Sequence, residues 1–258
     1  MNAFSRLLIL SSFLLSLSVQ ATDYYVHPGI GKDSNKGTSA ELPRKSFPKN
    51  LKAGDKLLLA AGTTFWNKLE LKNLRGTSEQ PIIVTTYAVD EKNKNRRVAI
   101  NAKGFLNGIS IINSQHVHVS NIEVSANDGG VHKWIEKKYQ KNNKNKLPTM
   151  RISVLLEASK KGNFQGIKLD NLLVKDVYFN DPGVTRSKKE TGSANGTESY
   201  GWGIRAFARN GGKFDGLVIN NSTVTRVAHT GIKLNGPKGS IKNITLSNNK
   251  VFDIGGPG

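Results

Sequence analysis

Gly216-Leu217-Val218-Ile219-Asn220-Asn221-Ser222-Thr223-Val224 is the stretch whose reading decides the fold. It holds a short apolar run, an Asn, and a second run of β-forming residues. The same register recurs at His116-Val117-His118-Val119-Ser120-Asn121-Ile122-Glu123-Val124, at Gly166-Ile167-Lys168-Leu169-Asp170-Asn171-Leu172-Leu173-Val174, and at Asn243-Ile244-Thr245-Leu246-Ser247-Asn248-Asn249-Lys250-Val251. Asn is among the few non-glycine residues that enter the left-handed backbone region at little cost. One such residue turns a strand sharply into the next. Stacked, Asn121, Asn171, Asn221 and Asn248 form a side-chain ladder inside that turn.

Outward from these segments, each second strand is followed by a Gly-containing turn and a third strand. The third strands include Gly108-Ile109-Ser110-Ile111, Val154-Leu155-Leu156-Glu157, Gly203-Ile204-Arg205-Ala206 and Gly231-Ile232-Lys233-Leu234. Three short strands per turn, repeated, define an all-β, three-sheet solenoid of parallel strands. Alternation sends Ile204, Ala206 and Ala208 inward and Arg205, Phe207 and Arg209 outward. Earlier strands fit the scheme at Lys56–Ala60, Lys68–Lys72, Pro81–Tyr87 and Arg97–Asn101, and Tyr24–Phe47 reads as a loop over the first coil.

The step from Asn221 to Asn248 is 27 residues, one coil, whereas Asn121 to Asn171 and Asn171 to Asn221 are each 50. Those two coils therefore carry insertions, near 131–150 and near 184–200, both placed just before the third strand. Long loops on one rim of a rigid scaffold are where function concentrates. The chain stops at Gly255-Gly256-Pro257-Gly258, where another coil is due, so the reading is of a C-terminally truncated solenoid.

Arg6, the apolar run Leu7–Val19 and the small residues around Ala21 read as a secretory signal peptide over 1–21, leaving a β-solenoid domain over 22–258 in a secreted or periplasmic protein. No run in 22–258 is long enough to span a membrane. The 258 residues hold no cysteine and five histidines, which disfavours disulfides and a structural zinc site. Lys and Arg number 38 against 19 Asp and Glu, a net charge of +19. That balance fits an acidic polysaccharide as partner, the competing reading being charge that serves solubility alone. No nucleic-acid-binding signature is present.

The opening Tyr24-Tyr25-Val26-His27-Pro28-Gly29, then Asp33-Ser34-Asn35-Lys36-Gly37-Thr38, Ala53-Gly54-Asp55-Lys56-Leu57-Leu58-Leu59 and Gly76-Thr77-Ser78-Glu79-Gln80-Pro81-Ile82, resembles that of bacterial right-handed parallel β-helix proteins. Together with the Asn-turn coils it is similar to the pectin-lyase-like superfamily, including alginate-lyase-like and chondroitinase-B-like enzymes, over nearly all of 22–258. The resemblance implies a right-handed helix, a monomer, a polysaccharide-degrading activity and calcium as a cofactor. It says little of the reaction, because the fold hosts lyases, hydrolases, epimerases and adhesins.

In the resembling enzymes the cleft lies along an outer sheet flanked by loops, which here is the third-strand sheet. Its outward residues in register are Leu155, Arg205 and Lys233. β-Elimination from a uronate needs a base and positive charge to stabilise the enolate. Lys233 is the candidate base, with Arg205 beside it lowering its pKa and stabilising charge. Two solvated cations on a basic surface is the competing reading. In the resembling enzymes the Lys comes one coil before the Arg, whereas here Arg comes first. His229, in the turn before Lys233, is a further candidate for base or sugar contact. Trp134, Tyr139, Tyr200 and Trp202 lie in or beside the insertions as sugar-stacking candidates, with Lys188 among the cations drawing in acidic groups.

Three functions follow as expectations. The first is a lyase cleaving a uronate-containing polysaccharide. The second is a glycoside hydrolase on a sulfated or acidic glycan, for which Glu157 and Asp181 are the carboxylates at hand. The third is a non-catalytic glycan-binding or adhesive protein. Asp128, Glu157 and Asp181 are also the oxygen donors nearest the face for calcium.

Overall fold

The computed structural model describes residues 20–102, 105–127, 151–178 and 201–255. Most of the signal segment 1–21, the bulk of both insertions, and Asp128, Trp134, Tyr139, Asp181, Lys188 and Tyr200 lie outside the described residues. Among the described residues the chain is all-β, with one 3-10 turn at Glu91–Asn93 and every strand pairing parallel. No helix among them is long and apolar enough to cross a membrane.

The strands fall in four sheets. One runs β1 (Asp23–Val26), β2 (Lys56–Ala60), β5 (Ile82–Tyr87), β8 (Val117–Ser120), β12 (Lys168–Asp170), β16 (Val218–Asn220) and β20 (Thr245–Ser247). A second runs β3 (Thr64–Trp66), β6 (Val98–Asn101), β9 (Ile122–Ala126), β13 (Leu173–Val177), β17 (Thr223–Val227) and β21 (Lys250–Ile254). The third, which carries the candidate site, runs β4 (Leu69–Lys72), β7 (Ile109–Ile112), β10 (Ile152–Ala158), β14 (Trp202–Ala208) and β18 (Thr230–Asn235). The fourth is small: β11 (Gly162–Gln165), β15 (Gly212–Asp215) and β19 (Ile241–Lys242). From β8 onward the chain visits the sheets in one recurring order, and each strand pairs with its counterpart from the preceding pass.

Two expectations need correction. The sheets number four, not three: β11, β15 and β19 each bury one apolar side chain or fewer (Phe164, Phe214), so no alternation announces them. Tyr24–Phe47 is not all loop, because β1 pairs with β2 from Asp23↔Lys56 to Val26↔Leu59.

The corner reading holds in the backbone. Asn121, Asn171, Asn221 and Asn248 all have positive φ, between 51° and 61°. Asn171 Nδ2 donates to Asn121 Oδ1 at 2.7 Å, while Asn221 Nδ2 turns instead to Asp170 Oδ1 at 2.9 Å. The ladder is thus one direct Asn–Asn rung flanked by neighbours that satisfy the same amides. Inward positions are sealed: Val119, Leu169, Ile219, Val124, Val174, Val224, Val154 and Ile204 are fully buried. In the last pass the equivalent positions are open, with Leu246 49% and Val251 46% exposed beside buried Ile219 and Val224.

Candidate functional site

The register of the third sheet sets two outward rows. Glu70, Ser110, Leu155, Arg205 and Lys233 stand in one, and Lys72, Ile112, Glu157, Phe207 and Asn235 in the other. Ladder neighbours are ~4.8 Å apart, so Arg205 and Lys233, 28 positions apart in sequence, stand side by side.

Around them four side chains form one cluster. The Arg205 guanidinium lies 4.4 Å from the Trp202 ring centre and the Lys233 ammonium 4.5 Å from it. His229 stacks on the same indole, with centroids 4.4 Å apart and planes within 17°. Two cations on one ring gain from its quadrupole and so tolerate their proximity. Arg205 Nε donates to Asn235 Oδ1 at 3.1 Å, and its guanidinium also faces the Phe207 ring at 5.2 Å. His229 Nδ1 contacts Thr230 Oγ1. Among the described residues, the buried Nε1 of Trp202 has no hydrogen-bond partner, an uncommon state for a buried indole donor.

Burial lowers the pKa of His229, and the positive charges of Lys233 and Arg205 lower it further. The imidazole is therefore neutral at pH 7, with a lone pair for accepting a proton. Burial also lowers the pKa of Arg205, which stays a cation all the same. Of the carboxylates on this face, Glu157 is the one on the strand neighbouring Arg205, and Glu70 lies at the far edge. Glu157 is held by Arg209, whose Nε donates to Oε1 at 2.9 Å.

The segment leading into the cluster is fixed by tight contacts. Gly201 has φ +79°, and a Cβ there would lie 2.1 Å from Val177 O. Its carbonyl accepts from His229 N at 2.9 Å, and Trp202 N donates to Arg151 O at 2.7 Å. Arg151 is the largest fully buried side chain among the described residues; its Nη1 donates to Ala126 O at 2.8 Å and to Tyr178 O at 3.2 Å. One arginine thus ties the points where the first insertion leaves and returns to the point where the second leaves.

The structure therefore brings Arg205, His229, Lys233 and Trp202 together. Trp202 is only 6% exposed, so it is the floor on which the cations and the imidazole rest, not an open platform for a sugar. Trp134, Tyr139, Tyr200 and Lys188 lie outside the described residues. Sequence reasoning missed Arg151 and Asn235, and placed Arg209 on the outward face without its pairing to Glu157. Asn235 was within reach, since alternation carries the outward row from Lys233 two residues on. A buried Arg151 leaves no such mark beside a lysine-rich insertion. For calcium, the described residues bring no three His or acidic side chains together, and Glu157 is occupied by a guanidinium. The other two donors expected for it, Asp128 and Asp181, lie outside the described residues.

An all-β chain of parallel sheets carrying a cation–aromatic cluster on one outer face is thus defined. No family model matches the sequence. A lacto-N-biosidase of Bifidobacterium longum subsp. longum is 25% identical over an alignment of 253 residues, covering 82% of this chain and 16% of that protein. Crystal structures of the GH136 lacto-N-biosidase from Eubacterium ramulus, native and selenomethionine-substituted, superpose with a TM-score of 0.67 at 21% and 22% identity. They cover 91% of this chain and 42% of theirs, a likeness of fold. The chain thus spans less than half the length of these relatives.

These relatives are glycoside hydrolases, which overturns the expected pectin-lyase-like identity and the expected uronate lyase. The cause of the error is physical. The opening motif and the Asn corners report turn stereochemistry, which stacked parallel strands need whatever reaction they support. Lys233 as an eliminating base falls with the lyase.

Proposed function

We propose that this chain is a right-handed parallel β-helix forming part of a secreted, monomeric glycoside hydrolase of the lacto-N-biosidase type. Its substrate side is the outer face carrying Trp202, Arg205, His229 and Lys233. The observation that supports this most is the relation to the bifidobacterial lacto-N-biosidase, which extends over 82% of the chain. The recurring order of the sheets supports the helix, and residues 1–21 support export.

Within this reading each group has a task. Arg205 and Lys233 donate to sugar oxygens. Neutral His229 accepts a hydroxyl proton, oriented by its stack on Trp202. Glu157, paired with Arg209, is a carboxylate within the same two outward rows. The net charge of +19 favours glycans that carry acidic groups.

Glycoside hydrolysis ordinarily employs two carboxylates. Beside the cluster the described residues present Glu157, in an ion pair. That observation favours a second reading, in which this face binds glycan without cleaving it.

Incubation with p-nitrophenyl lacto-N-bioside separates the two. Hydrolysis releases p-nitrophenolate, and Arg205→Gln lowers kcat/KM by about tenfold or more, the value of one charge-assisted hydrogen bond. Absence of release, with the disaccharide still bound in calorimetry and that binding lost in Arg205→Gln, selects the binding reading. No release and no binding contradicts both.

A further inference from the structure

A concavity lies at the opposite edge of the same sheet. It has a volume of about 550 Å³ and is lined by Ser46, Phe47, Pro48 and Lys49 on one side and by Asn67, Lys68, Glu70, Lys72 and Asn73 on the other. Both walls are built. Asp33 accepts from Ser46 N and from Ser46 Oγ, each at 2.8 Å, and Phe47 packs on Phe65 with centroids 4.8 Å apart. On the other side Leu69 N and Asn73 N donate to Gly108 O and Ile112 O of the neighbouring pass. The amides of Glu70 and Lys72 alternate to the free edge of β4, where the concavity lies.

Its chemistry is that of a sugar site with surplus positive charge. Lys68 Nζ is 3.3 Å from Glu70 Oε2, which leaves Lys49 and Lys72 as the cations in excess. Asn67 and Asn73 provide amides for hydroxyl groups, and Phe47 with Pro48 an apolar flank.

The row Lys72–Ile112–Glu157–Phe207–Asn235 joins this concavity to the cluster, and no position along it is fully buried. Its ends are four ladder steps of ~4.8 Å apart, about 19 Å, the reach of a tetrasaccharide. We infer that the concavity at β4 is a remote subsite for an acidic sugar, bearing carboxylate or sulfate, on the glycan whose other end lies at Trp202, Arg205, His229 and Lys233. The inference rests on the proposed location of the substrate side.

Calorimetry on the full chain tests it with four probes: a neutral disaccharide, a neutral tetrasaccharide, and that tetrasaccharide carrying either a carboxylate or a sulfate on its fourth sugar. The double variant Lys49→Gln/Lys72→Gln weakens both acidic tetrasaccharides about tenfold, as expected for two exposed charge contacts, and leaves the disaccharide unchanged. Weakening of only one acidic probe identifies the group the site takes. Unchanged affinity for both acidic tetrasaccharides in that double variant overturns the subsite. If Arg205→Gln leaves disaccharide affinity untouched, the proposed substrate side fails instead, and that result is separate from the first.

Discussion

At the residue scale, His229 shows how the cluster works. Its imidazole is held neutral first by burial and then by the two cations that share the Trp202 ring. A lowered folded-state pKa means that the unfolded chain binds the proton more readily. His229 therefore contributes stability that is fully present above its unfolded pKa of about 6.5 and is lost as pH falls through the lower folded value. His27 and His118 are lowered in the same direction, mainly by burial, so the protein loses stability below about pH 6.5. An NMR titration of the His229 ring reads the cause directly. Its pKa lies below 6.5 in the native protein and rises in Lys233→Met; no rise would leave burial and Arg205 as the explanation and remove Lys233 from the cluster's electrostatics.

The same scale shows why part of the site was hidden in the sequence. Arg205 and Lys233 were legible as neighbours, because each sits at the same offset in its own pass. Trp202 was legible as an aromatic near the face, but not as the ring beneath both cations. That depends on its side chain rather than on strand register. Arg151 was not legible at all. Its role depends on carbonyls of Ala126 and Tyr178, 25 and 27 positions away.

At the element scale, each corner is a single residue and its consequences extend one strand either way. Asn171 combines φ +51°, a donor to Asn121, and an Oδ1 that accepts from Arg97 at 2.5 Å. Asn171→Gly keeps the backbone and loses the side-chain bonds, at a cost of about 1 kcal/mol. Asn171→Ala loses the bonds and adds left-handed strain, for about 2–3 kcal/mol in total. Chemical denaturation measures both, and equal losses would show that the corner conformation is not what Asn supplies. A second set of left-handed residues, Asp176, Arg226 and Asp253, interrupts β13, β17 and β21. Arg226 there grips Asp176 through both carboxylate oxygens. Asp enters the left-handed region much as Asn does but Arg does not, so no shared residue type marks this series as Asn marks the other.

Strand length explains the other element-scale misses. β19 is two residues long and β11 and β15 four, too short for a period-2 pattern to emerge from background. β1 carries two tyrosines among polar neighbours and resembled a loop until its pairing with β2 was seen.

At the scale of the whole molecule, the recurring order of the sheets converts sequence separations of 27, 28 or 50 into spatial adjacency. That conversion assembles the Trp202 cluster and aligns the row that leads from it to the concavity at β4. It also separates fold from chemistry. The all-β, parallel stacking was read from the repeat, the number of sheets was not, and the reaction class was misread, because the repeat specifies corners and core without specifying which outward groups touch a substrate.

Register is therefore the claim on which the rest stands, and a chain without native cysteine allows it to be tested directly. Glu157 and Phe207 are 50 residues apart and are ladder partners on the outward face. With Cys at both positions, a disulfide forms on mild oxidation, since parallel neighbours lie within the Cα separation such a bond tolerates. With Cys at 157 and at 206, whose side chains point to opposite faces, it does not form. Mass spectrometry of the digested protein reads both outcomes. A cross-link at 157–206, or none at 157–207, would contradict the register and with it the assembly of the site.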